Sequence, residues 1–215
     1  DRFGRTALPP WLQAKDVNEK FFENHLHRED GQIIRKVIPL KNLENRHGHV
    51  TDMAFQASKK FCGLMAYHLE IENLSTQMLE KRDVFLKIKP KDTEIVQGAS
   101  RILEMLSPPV AEIFLSHQKY LPFYRSHERE IEVSEYLHFK YPKLTPGFLG
   151  AFREENLEAF VLIQKLIDSS YVKSPVMEME FWSAPVMDSV LKQMAQVHAD
   201  HWQTESFLLQ QMPSL

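Results

Sequence analysis

The 215-residue sequence is 43% hydrophobic, 11% aromatic and 26% charged, a balance that excludes a disordered chain and supplies a core for one large or two small domains. A net charge of −3 carries no broad positive field for nucleic acid, and no apolar run approaches the ~18 residues that cross a bilayer. The single cysteine, Cys62, has no partner for an internal disulfide, which fits a reducing, cytoplasmic setting.

Pro9-Pro10-Trp11-Leu12 reads as a turn leading into a helix over about residues 17–27, with Phe21, Phe22 and Leu26 on one face. Asp30-Gly31-Gln32 breaks it, residues 33–38 can form a strand, and Asn45-Arg46-His47-Gly48-His49 is a polar loop. Residues 63–71 alternate as a strand with Met65, Tyr67, Leu69 and Ile71 on one side, and residues 84–89 form a second strand, stopped by Pro90 and paired antiparallel to the first. Helical spacing over 93–106 lines up Ile95, Ala99, Ile102, Leu103 and Leu106, and Ser107-Pro108-Pro109 ends that helix.

A further helix is predicted from Ser126 to about Phe139, bearing Ile131, Val133, Tyr136 and Leu137. Residues 148–152 and 159–167 read as a hairpin with its tip at Arg153-Glu154-Glu155-Asn156. The chain then loosens through Ser169-Ser170 and isolated prolines before the strongest periodicity in the sequence, over about 186–203. There Val190, Leu191, Met194, Val197, His198, His201 and Trp202 share one face and call for a partner surface. The order predicts an α+β protein: a small, mostly antiparallel sheet carrying one or two helices, then the start of a helical region. Three segments follow from it: an N-terminal segment over 1–45, a sheet-bearing lobe over 46–167, and a linker with one helix over 168–215.

Three constellations could carry chemistry. Lys87 lies on a strand and Arg129-Glu130 on a later helix, an arrangement that clamps nucleotide phosphates when the glutamate orients the ammonium. The alternative is a lysine on the wet face of an edge strand. The strand from Phe160 to Leu166 runs into a polar linker, which suits a hinge whose backbone meets an adenine edge, or else an ordinary core strand. His198 and His201 could share a metal with Asp200, but two histidines need further ligands, and packed histidines on an amphipathic helix are the alternative.

Four segments in the same order resemble the aminoglycoside phosphotransferase and choline kinase-like superfamily. Phe85-Leu86-Lys87-Ile88-Lys89-Pro90 is similar to its lysine strand, and Glu128-Arg129-Glu130-Ile131-Glu132-Val133 to the helix of its paired glutamate. Leu162-Ile163-Gln164-Lys165-Leu166 resembles the hinge strand, and Met194-Ala195-Gln196-Val197-His198-Ala199-Asp200-His201-Trp202 the "LA-x-LHA-x-x-W" helix. Pro10-Trp11-Leu12 resembles the opening of the ecdysteroid-kinase-like branch.

The resemblance implies a protein-kinase-like N-lobe over 46–167, a hinge, and the first helix of a helical C-lobe. It implies ATP and Mg²⁺ as ligands and transfer of the γ-phosphoryl group to a small-molecule hydroxyl. Lys87 would hold phosphates, Glu130 would pair with it (Glu132 if the register slips), and backbone at Gln164, Lys165 and Leu166 would meet adenine. The chain departs from the family at Gln164-Lys165, where a Glu-Asp pair is usual, and in the low glycine content of residues 45–49. Nothing after Trp202 resembles the H-G-D-x-x-x-x-N catalytic loop or the metal-binding aspartate, so no catalytic residue and no metal ligand is assigned. The expectation is therefore the N-terminal portion of an ATP-dependent phosphotransferase, with the rest of the C-lobe in a longer chain. A non-catalytic kinase-like protein acting as a binding or regulatory partner is the alternative. A nucleotide and a small-molecule substrate are the expected ligands, with no nucleic acid or membrane partner, and a dimer mate or C-lobe-supplying partner would cover the last helix.

Overall fold

A computed structural model describes residues 12–40, 61–121, 124–145, 147–157, 159–167 and 182–212. Asn18 starts α1 (Glu19–His25) by accepting the Phe21 amide at 3.2 Å, and the helix brings Phe21 and Phe22 to one face. Five strands follow: β1 (Gln32–Pro39), β2 (Gly63–Asn73), β3 (Met78–Lys89), β4 (Phe148–Glu154) and β5 (Ala159–Lys165). Every neighbouring pair is antiparallel, and the order across the sheet is β1-β2-β3-β5-β4. Consecutive strands β2 and β3 join through a tight turn, in which the Asn73 side chain accepts the Ser75 and Thr76 amides at 2.9 and 3.1 Å.

Between β3 and β4 the chain leaves the sheet through α2 (Asp92–Leu106), α3 (Pro108–Ser116) and α4 (Ser126–Lys140). It returns at the far edge as β4, and β5 then fills the place between β4 and β3. This detour puts α4 against one face of the sheet.

Alternation decides what each face carries. Met65, Leu69 and Ile71 of β2, Val84, Leu86 and Ile88 of β3, and Val161 and Ile163 of β5 form the main core with α1 residues Phe21 and Phe22. On the opposite face a smaller core gathers Ile131 of α4 with Phe148, Phe160 and Leu162. At Gly150 the C-terminal end of α1 touches β4 so closely that a Cβ would stand 1.9 Å from the His25 carbonyl oxygen. The His27 amide donates to the Leu149 carbonyl at 2.6 Å beside it.

The α+β class, the antiparallel sheet, the α4 helix and the 148–165 hairpin agree with the sequence reading. β1 belongs to the same sheet as the later strands, and α1 packs into the same core. The boundary drawn at 45 and the polar loop over 45–49 lie outside the described residues, as do residues 168–181 of the linker. Three differences have physical causes. The β3 strand begins at Met78, because a long hairpin with β2 continues well beyond the apolar stretch. Pro108 and Pro109 begin α3 as well as ending α2, since proline lacks only an amide that a first helical turn leaves unpaired. The predicted α2 stripe is half right: Ile95 is buried, but Ile102 and Leu106 are 47% and 78% exposed, and burial is confined to positions 95–100.

The last two helices are α5 (Ala184–Asp200) and α6 (Glu205–Gln211). None of the described residues of α5 is buried, and Leu191 and Met194 of its predicted stripe are exposed. His201 and Trp202 fall beyond its end. No helix among the described residues is long and apolar enough to cross a membrane.

A two-lysine clamp on one glutamate as candidate functional site

Phe85, Lys87 and Lys89 of β3 lie opposite Gln164, Leu162 and Phe160 of β5, on the face that α4 covers. Apolar neighbours on β5 and Ile131 on α4 hold strand and helix together here, so α4 presents Glu130 directly above the two lysines. Lys87 donates to Glu130 Oε1 and Lys89 to Oε2. Both lysines thus grip one carboxylate, each on its own oxygen. Lys89 also donates to the Ser126 carbonyl at 3.2 Å, in the first turn of the helix.

The two lysines differ in surroundings. The Lys89 side chain is 14% exposed, against 37% for Lys87 and 30% for Glu130. Burial pushes the Lys89 ammonium below its ordinary pKa, against the opposing pull of Glu130. Burial alone would raise the Glu130 carboxyl, but hydrogen bonds from Lys87 and Lys89 outweigh it and hold the carboxyl below its usual range. Two ammonium groups share one carboxylate here, and Lys87 is the more exposed of the two.

The start of α4 is pinned from a second direction. Arg125 adopts a left-handed conformation (φ 50°), and its amide donates to the Asp92 carboxylate at 3.0 Å. Beside it His127 is 4% exposed, edge-on to the Phe160 ring with centroids 4.3 Å apart. Burial lowers the pKa of this imidazole, although Asp92, Glu128 and Glu155 all pull the other way. Its Nδ1 is 3.5 Å from Asp92, and ligand atoms of His127, Glu128 and Glu155 lie within 4.8 Å of one another. Arg125 donates to Glu128 at 2.6 Å and Lys91 to Glu155 at 2.8 Å, so a metal ion here would compete with two cations already in place.

Of the residues singled out in the sequence, Lys87 and Glu130 are brought together, and Glu130 rather than Glu132 takes the lysines. Lys89 and His127 were missed as site residues. Lys89 was legible, because a residue two positions along a strand shares the face of Lys87. At the end of β5 the Lys165 amide donates to the Gly147 carbonyl at 2.8 Å and the Leu166 amide to the Asp83 carbonyl at 3.1 Å. Both donors are engaged within the protein, so these two amides are not open to an outside partner.

The histidine pair does not form a metal set. His201 is hydrogen-bonded to the Tyr136 hydroxyl at 2.8 Å and to the Val197 carbonyl at 2.5 Å. Asp200 accepts from Tyr141 and Gln196, each at 2.7 Å. The two tyrosine contacts join the end of α5 to the end of α4, and His198 stays exposed. Compared with protein-family models, curated proteins and solved structures, the chain finds no match in any of the three.

Proposed function

We propose that this chain is the nucleotide-binding, N-lobe portion of a kinase-like phosphotransferase that uses ATP and acts on a small-molecule hydroxyl. The observation that carries the reading is the strand lysine Lys87 paired to Glu130 of α4. The order of the lysine strand, glutamate helix, hinge-like strand and histidine-bearing helix along the sequence supports it. In this reading Lys87 neutralises phosphate charge, and Glu130 aims its ammonium by fixing one of its three donors. The backbone from Gln164 to Leu166, at the end of β5 beside β3, is the segment that meets the adenine edge in this reading. ATP, when bound with Mg²⁺, supplies the transferable phosphoryl group. Residues of this chain position and neutralise it, while the group that orients the acceptor hydroxyl is not assigned among them.

Titration of the chain with a fluorescent ATP analogue in the presence of Mg²⁺ tests this. Saturable binding is expected, weakened at least about tenfold in Lys87→Ala. Turnover of ATP by the 215 residues alone is not expected. A wild-type chain that binds no nucleotide, or a Lys87→Ala variant that binds as well as wild type, overturns the reading.

A further inference from the structure

We propose that Lys89 is a positioning residue: it holds Glu130 and the first turn of α4 in place, so that Lys87 can turn toward an anionic ligand without leaving the carboxylate unpaired.

Three observations lead to it. The lysines occupy different oxygens of Glu130, so one can leave without displacing the other. Lys89 has a second acceptor in the backbone of α4, the Ser126 carbonyl, whereas the hydrogen bond found for Lys87 among the described residues is the one to Glu130. Its side chain is also the more enclosed of the two, 14% exposed against 37%, and a buried ammonium pays a desolvation penalty if it parts from its counter-ion. Lys89 therefore stays and Lys87 moves. Without Lys89, Lys87 becomes the sole counter-ion of a half-buried carboxylate and is drawn away from any ligand.

The inference rests on the nucleotide reading for one of its two tests only. The first test needs no ligand: the Glu130 carboxyl is titrated by carbon-13 NMR in wild type, Lys87→Ala and Lys89→Met, with Glu130→Gln to assign its signal. In Lys87→Ala the carboxyl should still titrate below the ordinary range, and in Lys89→Met it should climb toward it; a larger rise in Lys87→Ala overturns the proposal. Should Lys89→Met fail to fold, nitrogen-15 spectra of the wild-type ammonium groups decide. Slowly exchanging protons on Lys89 and fast exchange on Lys87 are expected, and the reverse overturns the proposal.

The second test is nucleotide affinity. Lys89→Met should weaken binding about tenfold in wild type but less than about twofold when Glu130 is already Gln, and Lys89→Arg should bind nearly as wild type does. An equal loss in both backgrounds would make Lys89 a mere contributor of charge and would overturn the proposal. A wild-type chain that binds no nucleotide ends the functional reading, while the carboxyl titration still decides the role of Lys89.

Discussion

The two faces of the sheet are built from the same strands and do opposite work. Toward α1, every second residue from Met65 to Ile71 of β2, from Val84 to Ile88 of β3 and from Ala159 to Ile163 of β5 is apolar and buried, with Leu69, Val84, Leu86, Val161 and Ile163 at 0% exposure. Toward α4, the alternate positions of β3 carry Phe85, Lys87 and Lys89, and only a small apolar group around Ile131 holds the helix down. The first face gains from burial and close packing, which have no preferred partner. The second keeps two cations and an anion half out of water, an arrangement that rarely outdoes apolar packing for stability but leaves charge positioned and partly reachable.

The contrast can be broken or sharpened by substitution, with chemical or thermal unfolding as the common measure. Gly150→Ala should have the largest effect, about 3 kcal/mol or more, because its new methyl would overlap the His25 carbonyl and push α1 off the sheet. Leu86→Ala, in the centre of the same face, should cost about 2–4 kcal/mol. A loss below 1 kcal/mol at both positions would mean that the α1 face is not the main source of stability.

On the other face, Glu130→Ala should cost about 1–3 kcal/mol, because it strands the enclosed Lys89 without its counter-ion. Replacing both partners, as Lys89→Met with Glu130→Gln, should recover part of that loss. If the double variant is as unstable as the sum of the single ones, the two residues do not act as a pair.

Acid titration is the next, smaller probe. A carboxyl held below its ordinary pKa, about 4.3 for glutamate, stabilises the fold above that value and loses the contribution as pH falls through the folded-state value. Wild type should therefore lose stability more steeply than Glu130→Gln below about pH 4.3, with parallel curves above about pH 5.5. Parallel curves throughout would show that the lysines do not stabilise the carboxylate. Lys87→Ala should move stability least, within about 1 kcal/mol, since its side chain is the most exposed of the three and Lys89 retains Glu130. A loss as large as that of Glu130→Ala would place Lys87 among the structural residues.

Much of this was legible in the residues themselves. Period-2 runs such as Met65, Tyr67, Leu69 and Ile71 mark β2, and the spacing over Ser126–Lys140 marks α4, because a strand or helix buried on one side must repeat at its own geometric period. Lys87 and Glu130 could be matched in advance because each stood on a well-marked element. Other features were not legible. The α2 stripe fails at Ile102 and Leu106 because periodicity names a face and not the length of it that finds a neighbour. The metal reading of His198, Asp200 and His201 fails because Tyr136 and Tyr141, some 60 residues earlier, take up Asp200 and His201.

The sequence by itself determined the α+β class, the alternation that gives β3 one oily and one charged face, and the helix that carries Glu130. These depend on contacts between near neighbours along the chain, which a local pattern records. Only the tertiary structure decided that β5 lies between β3 and β4, that Lys89 shares Glu130 with Lys87, and that the Lys165 and Leu166 amides are already engaged. The β3–β5 pairing, the Lys89–Glu130 contact and the bond from the Leu166 amide to Asp83 join residues about 40 to 80 positions apart, and the free energy that selects them comes from burying whole faces together, which no short stretch of sequence carries.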